Sequence, residues 1–145
     1  MEKVFEIYIR TTPERLWKAV TDRETRQQYS FQPPPGMEPG DFGSGETVEE
    51  DPPHRLVETM KAHWSPEVER HPETRITYEI IPFREGVVGL RVTHSDLEAD
   101  ASDELYGGWP HILSSLKSLL ETGEPLDLQV PPEAVEQWQA SKAEA

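Results

Sequence analysis

The segment from Gly107 to Leu126, GGWPHILSSLKSLLETGEPL, restricts the fold more than any other part of the chain. Its apolar residues recur every three or four positions, which is typical of one face of an α-helix. Gly123 stands where a left-handed C-cap is expected, and Pro110 marks either the first turn or a kink. We predict a helix near residues 104–122 whose broad apolar face comprises Leu105, Trp109, Ile112, Leu113, Leu116, Leu119 and Leu120. The polar residues Ser114, Ser115, Lys117 and Ser118 fall largely on the opposite face.

A helix with so broad an apolar face needs a large apolar surface to pack against, and the preceding sequence supplies one. The stretches VFEIYIR (4–10), TRITYEIIPF (74–83) and GVVGLRVTHSD (86–96) alternate apolar and polar residues, which predicts half-buried strands. The stretch GETVEEDPPHRLVETMKAHW (45–64) reads as two strands divided at Pro52 and Pro53, because proline lacks the donor that a ladder needs. These patterns predict a curved antiparallel sheet wrapped around the C-terminal helix.

Two short helices are predicted between the first strand and the rest of the sheet. Thr12 is a natural N-cap and Pro13 suits the first helical position, while Asp22 caps a second helix that runs to about Tyr29. The fold class is therefore α+β. We predict one domain over residues 1–126 and a C-terminal tail over 127–145, in which PPEAVEQWQASKA favours one more short helix.

Composition limits the partners. A formal net charge of −14 argues against nucleic acid and against an anionic membrane surface, because the field of the protein would repel polyanions. No apolar run is long enough to span a bilayer, and no targeting signal opens the chain. Cysteine is absent, which excludes disulfides and thiolate chemistry and fits a reducing cytoplasm. We expect a cytoplasmic protein.

Three polar residues fall on the apolar side of their predicted strands: Glu58, Tyr78 and His94. Tyr78 reads as a core residue whose hydroxyl reaches a wet edge, and His94 reads as a hydrogen-bonded core histidine. A bulge would alternatively shift the strand and place Val57 inside instead of Glu58. If no strand is shifted, a carboxylate, a phenol and an imidazole converge on one apolar space, which suits a ligand's polar end or acid–base chemistry.

Other chemical signals are absent from the sequence. The five histidines show neither HxH nor HExxH spacing, so no metal site is predicted. No GxSxG motif and no phosphate-binding glycine loop occurs. We therefore assign no catalytic residue, no metal ligand and no cofactor.

The segments TTPERLWKAVTD, DPPHRLVET and GGWPHILSSLKSLLETGEPL occur in an order that resembles the helix-grip superfamily, which includes START-like proteins and the birch-pollen allergens. Within this superfamily the chain resembles the branch named for the activator of the heat shock protein 90 ATPase, over roughly residues 1–126. The resemblance implies a seven-stranded antiparallel sheet that grips the C-terminal helix, with a cavity for an apolar small molecule between them. Residues Ser30–Gly45 are shorter and richer in proline than the family's second and third strands, so we expect that hairpin to be truncated.

The preferred functional hypothesis is a small-molecule-binding protein linked to stress response. Its ligand would be apolar or amphipathic and would lie between the sheet and the C-terminal helix. The predicted contacts are Glu58, Trp64, Tyr78, His94, Trp109 and Leu113. The first alternative is a cochaperone-like domain that acts on a heat-shock chaperone ATPase. The second is a cyclase- or hydrolase-type enzyme that uses the same cavity through Glu58, Tyr78 and His94.

Overall fold

The computed structural model of the protein describes residues 1–33 and 36–144. Its strands are β1 (Lys3–Ile9), β2 (Gly43–Ser44), β3 (Thr47–Asp51), β4 (Arg55–Ala62), β5 (Thr74–Arg84) and β6 (Val87–Ser95). Its helices are α1 (Pro13–Thr21), α2 (Arg23–Tyr29), α3 (Pro39–Phe42), α4 (Pro66–Glu69), α5 (Asp103–Tyr106), α6 (Trp109–Thr122) and α7 (Pro132–Glu144). The α+β class predicted from the alternating strands and the amphipathic helix is confirmed.

The sheet is antiparallel, with the strand order β1-β6-β5-β4-β2, and β3 also pairs with β4. The described residues form six strands rather than the seven that the resemblance implies. The strand that is missing relative to the family corresponds to the proline-rich segment of the sequence. The segment after α2 contributes only the four-residue α3 and the two-residue β2, because prolines cannot donate to a ladder. Pro34 and Pro35 of this segment lie outside the described residues.

The two short helices after β1 begin where their caps predict. The Thr12 hydroxyl accepts a hydrogen bond from the Arg15 backbone N–H at 3.2 Å, and the Asp22 carboxylate accepts one from the Thr25 N–H at 3.1 Å. Each contact satisfies a backbone donor that the first turn of a helix leaves unpaired. These caps fix the direction of α2, whose side chains reach the sheet interior.

The predicted C-terminal helix is two helices, because Gly107 and Gly108 interrupt it between α5 and α6. Pro110 lies in the first turn of α6, where it needs no hydrogen-bond partner, and so it does not kink the helix. The helix ends at Gly123, whose φ of 89° is the left-handed conformation expected of a C-cap. Gly108 is also closely approached, since a Cβ there would lie 2.9 Å from the Phe31 ring.

The main core lies between the inner face of the sheet and helices α1 and α6. Its least exposed members include Leu16, Leu90, Val92 and Leu116. Leu105 does not join this core, because α5 packs into a second cluster formed by Ala62, Val68, Leu97 and Leu105. The helical stripe predicted from the sequence is therefore divided between two clusters at the glycine pair.

Ser115 was expected on the polar face of α6 but is fully buried. Its hydroxyl accepts a hydrogen bond from the Leu126 N–H at 3.0 Å and lies 3.4 Å from the Leu126 carbonyl oxygen. The side chain is buried because the chain beyond Gly123 folds back along the helix.

The segment beyond Leu126 continues into the helix that its composition favours, α7. The segment that leads into α7 is held against the domain by a backbone hydrogen bond from the Gln32 N–H to the Leu128 carbonyl at 2.8 Å. The division into a domain over 1–126 and a tail over 127–145 stays a prediction. No helix within the described ranges is long and apolar enough to cross a membrane.

Candidate functional site

Glu58 faces the interior of the sheet. The pairing of β4 with β5 is regular from Arg55 to Met60, so β4 itself is not shifted, although Val57 is buried as well. The irregularity at this point lies in β3, where Thr47 pairs with Glu58 and Glu49 with Val57. The Glu58 carboxylate accepts two hydrogen bonds from the Arg26 guanidinium, at 2.8 and 2.9 Å. This fork-to-fork arrangement is the strongest geometry for an arginine–carboxylate pair.

Arg26 is the site residue that the sequence reasoning missed. It lies on α2, and its Nη2 also donates to the Tyr78 hydroxyl oxygen at 3.3 Å, with the guanidinium carbon 5.8 Å from the centre of the Tyr78 ring. Two signals pointed to it. Arg26 precedes the buried Tyr29 by three residues, so both lie on one face of the helix. An inward carboxylate also requires a cation nearby.

Tyr78 is buried in the main core, and its phenol stays neutral. Burial raises the pKa of its hydroxyl to about 12, and the nearby Arg26 only partly opposes that effect. Its oxygen accepts from Arg26, but its own O–H proton has no acceptor among the described residues. Tyr78 therefore keeps one hydrogen-bond donor available at the edge of an apolar interface.

His94 is fully buried and hydrogen-bonded through both ring nitrogens. The Trp109 indole N–H donates to His94 Nδ1 at 3.2 Å, and an indole can only donate, so Nδ1 carries no proton. The proton of the neutral ring is therefore on Nε2, which lies 2.8 Å from the Thr74 hydroxyl; that hydroxyl in turn donates to the Met60 carbonyl at 3.3 Å. Burial, with a smaller effect from His71, lowers the pKa of His94 to about 4.

Trp109 connects Tyr78 with His94. Its ring meets Tyr78 edge to face, with the ring centroids 6.1 Å apart, while its N–H holds His94. The position of Trp109 on the apolar face of the helix predicts a largely buried side chain. The side chain is half-buried, because Trp109 starts α6 at the edge of the core. We call the connected set Arg26, Glu58, Thr74, Tyr78, His94 and Trp109 the interior polar network.

Four of the six predicted ligand contacts thus belong to one network: Glu58, Tyr78, His94 and Trp109. Leu113 is buried in the main core, on the same helix as Trp109. Trp64 lies apart, beside the second cluster, with its ring centroid 6.4 Å from that of Phe42.

Two surface depressions flank α2 instead of the network. One, of about 320 Å³, lies between α1, α2 and the end of α6 and includes Arg15, Lys18 and Leu120. The other, of about 370 Å³, is bordered by Gln28, Gln32 and residues 125–127. None of the six predicted contacts lines either depression, and the described side chains contain no group of three suited to hold a metal ion.

The Arg26–Glu58 pair is expected to contribute about 1–2 kcal/mol of coupling energy to folding. This value lies between those of exposed and buried pairs, because the side chains are 34 % and 17 % exposed. The measurement is a double-mutant cycle with Arg26→Met and Glu58→Gln, followed by urea denaturation. The Arg91–Glu6 pair, at 3.1 Å and 41 % and 37 % exposed, is the control and should couple by less than about 0.5 kcal/mol. Equal coupling in the two cycles would contradict this assignment.

Comparison with solved structures identifies the fold that carries the interior polar network. The fold is similar to that of CalU16 from Micromonospora echinospora, with a TM-score of 0.67 and 18 % identity over 96 % of this chain and 82 % of that one. It is similar to an Hsp90 activator from Plasmodium falciparum, PFC0360w, with a TM-score of 0.63 and 21 % identity over 83 % and 96 %. It is also similar to DynU16, a protein of the dynemicin biosynthetic locus, with a TM-score of 0.64 and 20 % identity over 86 % of this chain and 48 % of that one.

These identities establish the helix-grip fold alone. No curated protein matches the chain in sequence. The family model for Activator of Hsp90 ATPase homolog 1-like protein, however, matches residues 10–121, which is most of the chain. That span includes α1, α2, the sheet from β2 to β6 and nearly all of α6, so it contains every member of the interior polar network. The chain belongs to the Activator of Hsp90 ATPase homolog 1-like family.

Proposed function

We propose that the protein binds an apolar small molecule with one neutral polar end, held between α6 and the inner face of the sheet. The observation that carries this proposal is the Tyr78 hydroxyl. It is buried and neutral, and its proton has no acceptor among the described residues. A buried donor without a partner costs free energy, which a ligand oxygen would recover.

The charge balance of the network indicates the kind of polar end. Glu58 already neutralises Arg26, so the site offers no net positive charge to a carboxylate or a phosphate. A carbonyl or hydroxyl oxygen would accept from Tyr78 without disturbing the Arg26–Glu58 pair. His94 supports the far side of the site, because it fixes the Trp109 ring through its unprotonated Nδ1.

The apolar part of the ligand would lie along the half-buried residues of the main core. Met60, Trp109 and Ile112 pack against this core without being fully covered, and Leu113 lies behind them. Met60 also packs against the second cluster, so we place Trp64 at the far end of the same wall. Pockets lined by apolar side chains with a few polar groups are typical of small-molecule sites. The resemblance to a protein of a biosynthetic locus adds support for a small-molecule role.

The test is the binding of prodan, a neutral naphthyl ketone whose fluorescence reports an apolar environment. Its ketone oxygen would accept from Tyr78, so Tyr78→Phe should weaken binding about five-fold, the net value of one hydrogen bond. Tyr8→Phe is the matched control, because Tyr8 is an exposed tyrosine. An anionic naphthyl probe should bind more weakly than prodan.

Equal prodan affinity in the Tyr78→Phe and Tyr8→Phe proteins would remove Tyr78 from the site. The absence of any prodan binding by a folded wild-type protein would contradict the proposal itself. If prodan does bind, native mass spectrometry of freshly purified protein, which detects a co-purifying apolar molecule, is the measurement that identifies the natural ligand.

A chaperone-directed role is the second candidate. It is favoured by the family that the model identifies and by the similarity to an Hsp90 activator. The measurement is the ATPase rate of an Hsp90 from the same organism with and without this protein. Stimulation that persists in the Tyr78→Phe variant would favour the chaperone role over ligand binding as the main function.

A further inference from the structure

Ser44, His63 and Glu69 lie together on the surface, outside the interior polar network. Ser44 is in β2, His63 follows β4, and Glu69 ends α4. The Ser44 Oγ is 3.1 Å from His63 Nε2, and His63 Nδ1 is 3.8 Å from a Glu69 carboxylate oxygen. The sequence shows no nucleophile motif here, because the pairing of β2 with β4 brings Ser44 beside His63 and the short helix α4, which follows β4, carries Glu69.

The order of contacts is the one that nucleophilic catalysis requires. The serine faces one ring nitrogen of the histidine and the carboxylate faces the other, so the imidazole can take the serine proton while Glu69 orients the ring. The 3.8 Å separation of His63 Nδ1 from the Glu69 carboxylate is longer than a hydrogen bond, and catalytic contacts are often longer in proteins without substrate.

The neighbouring residues supply the other parts of such a site. The N–H of Gly45, the residue after Ser44, makes no hydrogen bond within the described part of the chain, so it is free to donate to an oxyanion. Phe42 lies two residues before Ser44, and Trp64 directly follows His63. Their rings form an aromatic pair beside the two residues. Ser44 is exposed, which leaves it accessible to a substrate.

We propose that Ser44, His63 and Glu69 form a hydrolytic site for small carboxylic esters with an apolar or aromatic group, which would pack on Phe42 and Trp64. Ser44 and His63 are the catalytic residues, and Glu69 is a positioning residue. None of the three residues belongs to the interior polar network or contacts Tyr78, although Trp64 borders both proposed sites.

The reaction has two steps. The Ser44 Oγ adds to the ester carbonyl carbon while His63 Nε2 takes the hydroxyl proton, and the Gly45 N–H donates to the oxyanion. The tetrahedral intermediate collapses, the bond to the alkoxide breaks, and the alkoxide leaves with the proton from His63, giving acyl-Ser44 and an alcohol. Water then adds to the acyl carbon as His63 takes its proton, and the carboxylic acid leaves as that proton returns to Ser44.

The experiment uses p-nitrophenyl acetate with the full chain. The wild type should release a burst of p-nitrophenol equivalent to the protein and should carry an acetyl group on the peptide that contains Ser44. Ser44→Ala and His63→Gln should each lower the acylation rate by at least about 100-fold. Glu69→Gln should lower the rate as well, and Glu69→Asp should restore part of it.

Two controls separate this site from general surface reactivity. Ser114→Ala and His54→Gln remove an exposed serine and an exposed histidine elsewhere, and both should leave the burst unchanged. Circular dichroism checks that every variant is folded. The proposal is overturned if Ser44→Ala reacts like Ser114→Ala, or if the acetyl group is found only on residues other than Ser44. Either result leaves the prodan measurement at Tyr78 unaffected.

Discussion

Lowering the pH from 7 to 4 is expected to reduce the free energy of unfolding of the wild type by about 3 kcal/mol more than that of a His94→Phe variant. The reason is that His94 is fully buried, its Nδ1 accepts the Trp109 N–H, and its pKa is lowered to about 4. A protonated ring would direct a second donor at the indole N–H, so the folded state resists protonation.

The direction of the effect follows from the two pKa values. Histidine in the unfolded chain has a pKa of about 6.5, above the folded value of about 4. Between these values the unfolded state binds the proton and the folded state does not, so the stability rises with pH across this window. The contribution of His94 is complete above about pH 6.5 and is lost as the pH falls toward 4. His71 is the ionisable neighbour that adds to the shift in the pKa of His94, while Trp109 and Thr74 contact the ring as neutral groups.

The measurement is urea denaturation of both proteins at the two pH values. Carboxylates also titrate near pH 4, and the difference between wild type and variant cancels their contribution. His54→Gln removes an exposed histidine and should keep the pH dependence of the wild type. If His94→Phe also keeps that dependence, His94 is not the group responsible.

The fold was largely predictable because local patterns and global packing agree in most elements. Alternation in β5 and β6 and the caps at Thr12 and Asp22 are local signals, and each identified its element. The break between α5 and α6 was not predicted, since glycines inside an apolar stripe interrupt a helix only when a neighbour requires it. Here Phe31 lies against Gly108, a contact between residues far apart in the sequence.

The inward residues were predictable on the strands, whereas on the helices Trp109 was predicted and Arg26 was not. Strand alternation has a period of two, so it assigned Glu58, Tyr78 and His94 to the interior without knowledge of the fold. Arg26 was missed because neither of its two signals, the spacing from Tyr29 and the need of Glu58 for a cation, shows how a seven-residue helix packs on the sheet. Its position depends on where α2 lies on the sheet. Trp64 was grouped with the others by counting along β4, but the strand ends at Ala62, so the alternation no longer applied.

Trp109→Ala is expected to destabilise the protein by about 3 kcal/mol, toward the lower end of the range for large aromatic truncations because the ring is half-buried. Trp109→Phe should cost only about 1–2 kcal/mol. Phenylalanine keeps a ring against Tyr78 but loses the N–H donor to His94 and the part of the indole that a phenyl ring does not fill.

The two Trp109 variants separate packing from hydrogen bonding, and together they test how the network is connected. Trp109→Phe removes the donor that opposes protonation of His94, so the pKa of His94 should rise and the pH dependence of stability should become shallower than in the wild type. Tyr78→Phe removes a hydroxyl that does not contact His94, so it should leave that pH dependence unchanged. Urea denaturation near pH 7 and pH 4 measures both the free energy of unfolding and its dependence on pH.

A loss below about 1 kcal/mol for Trp109→Ala would mean that the indole is not packed between Tyr78 and His94. An unchanged pH dependence in Trp109→Phe would mean that burial alone, without the indole donor, keeps His94 neutral.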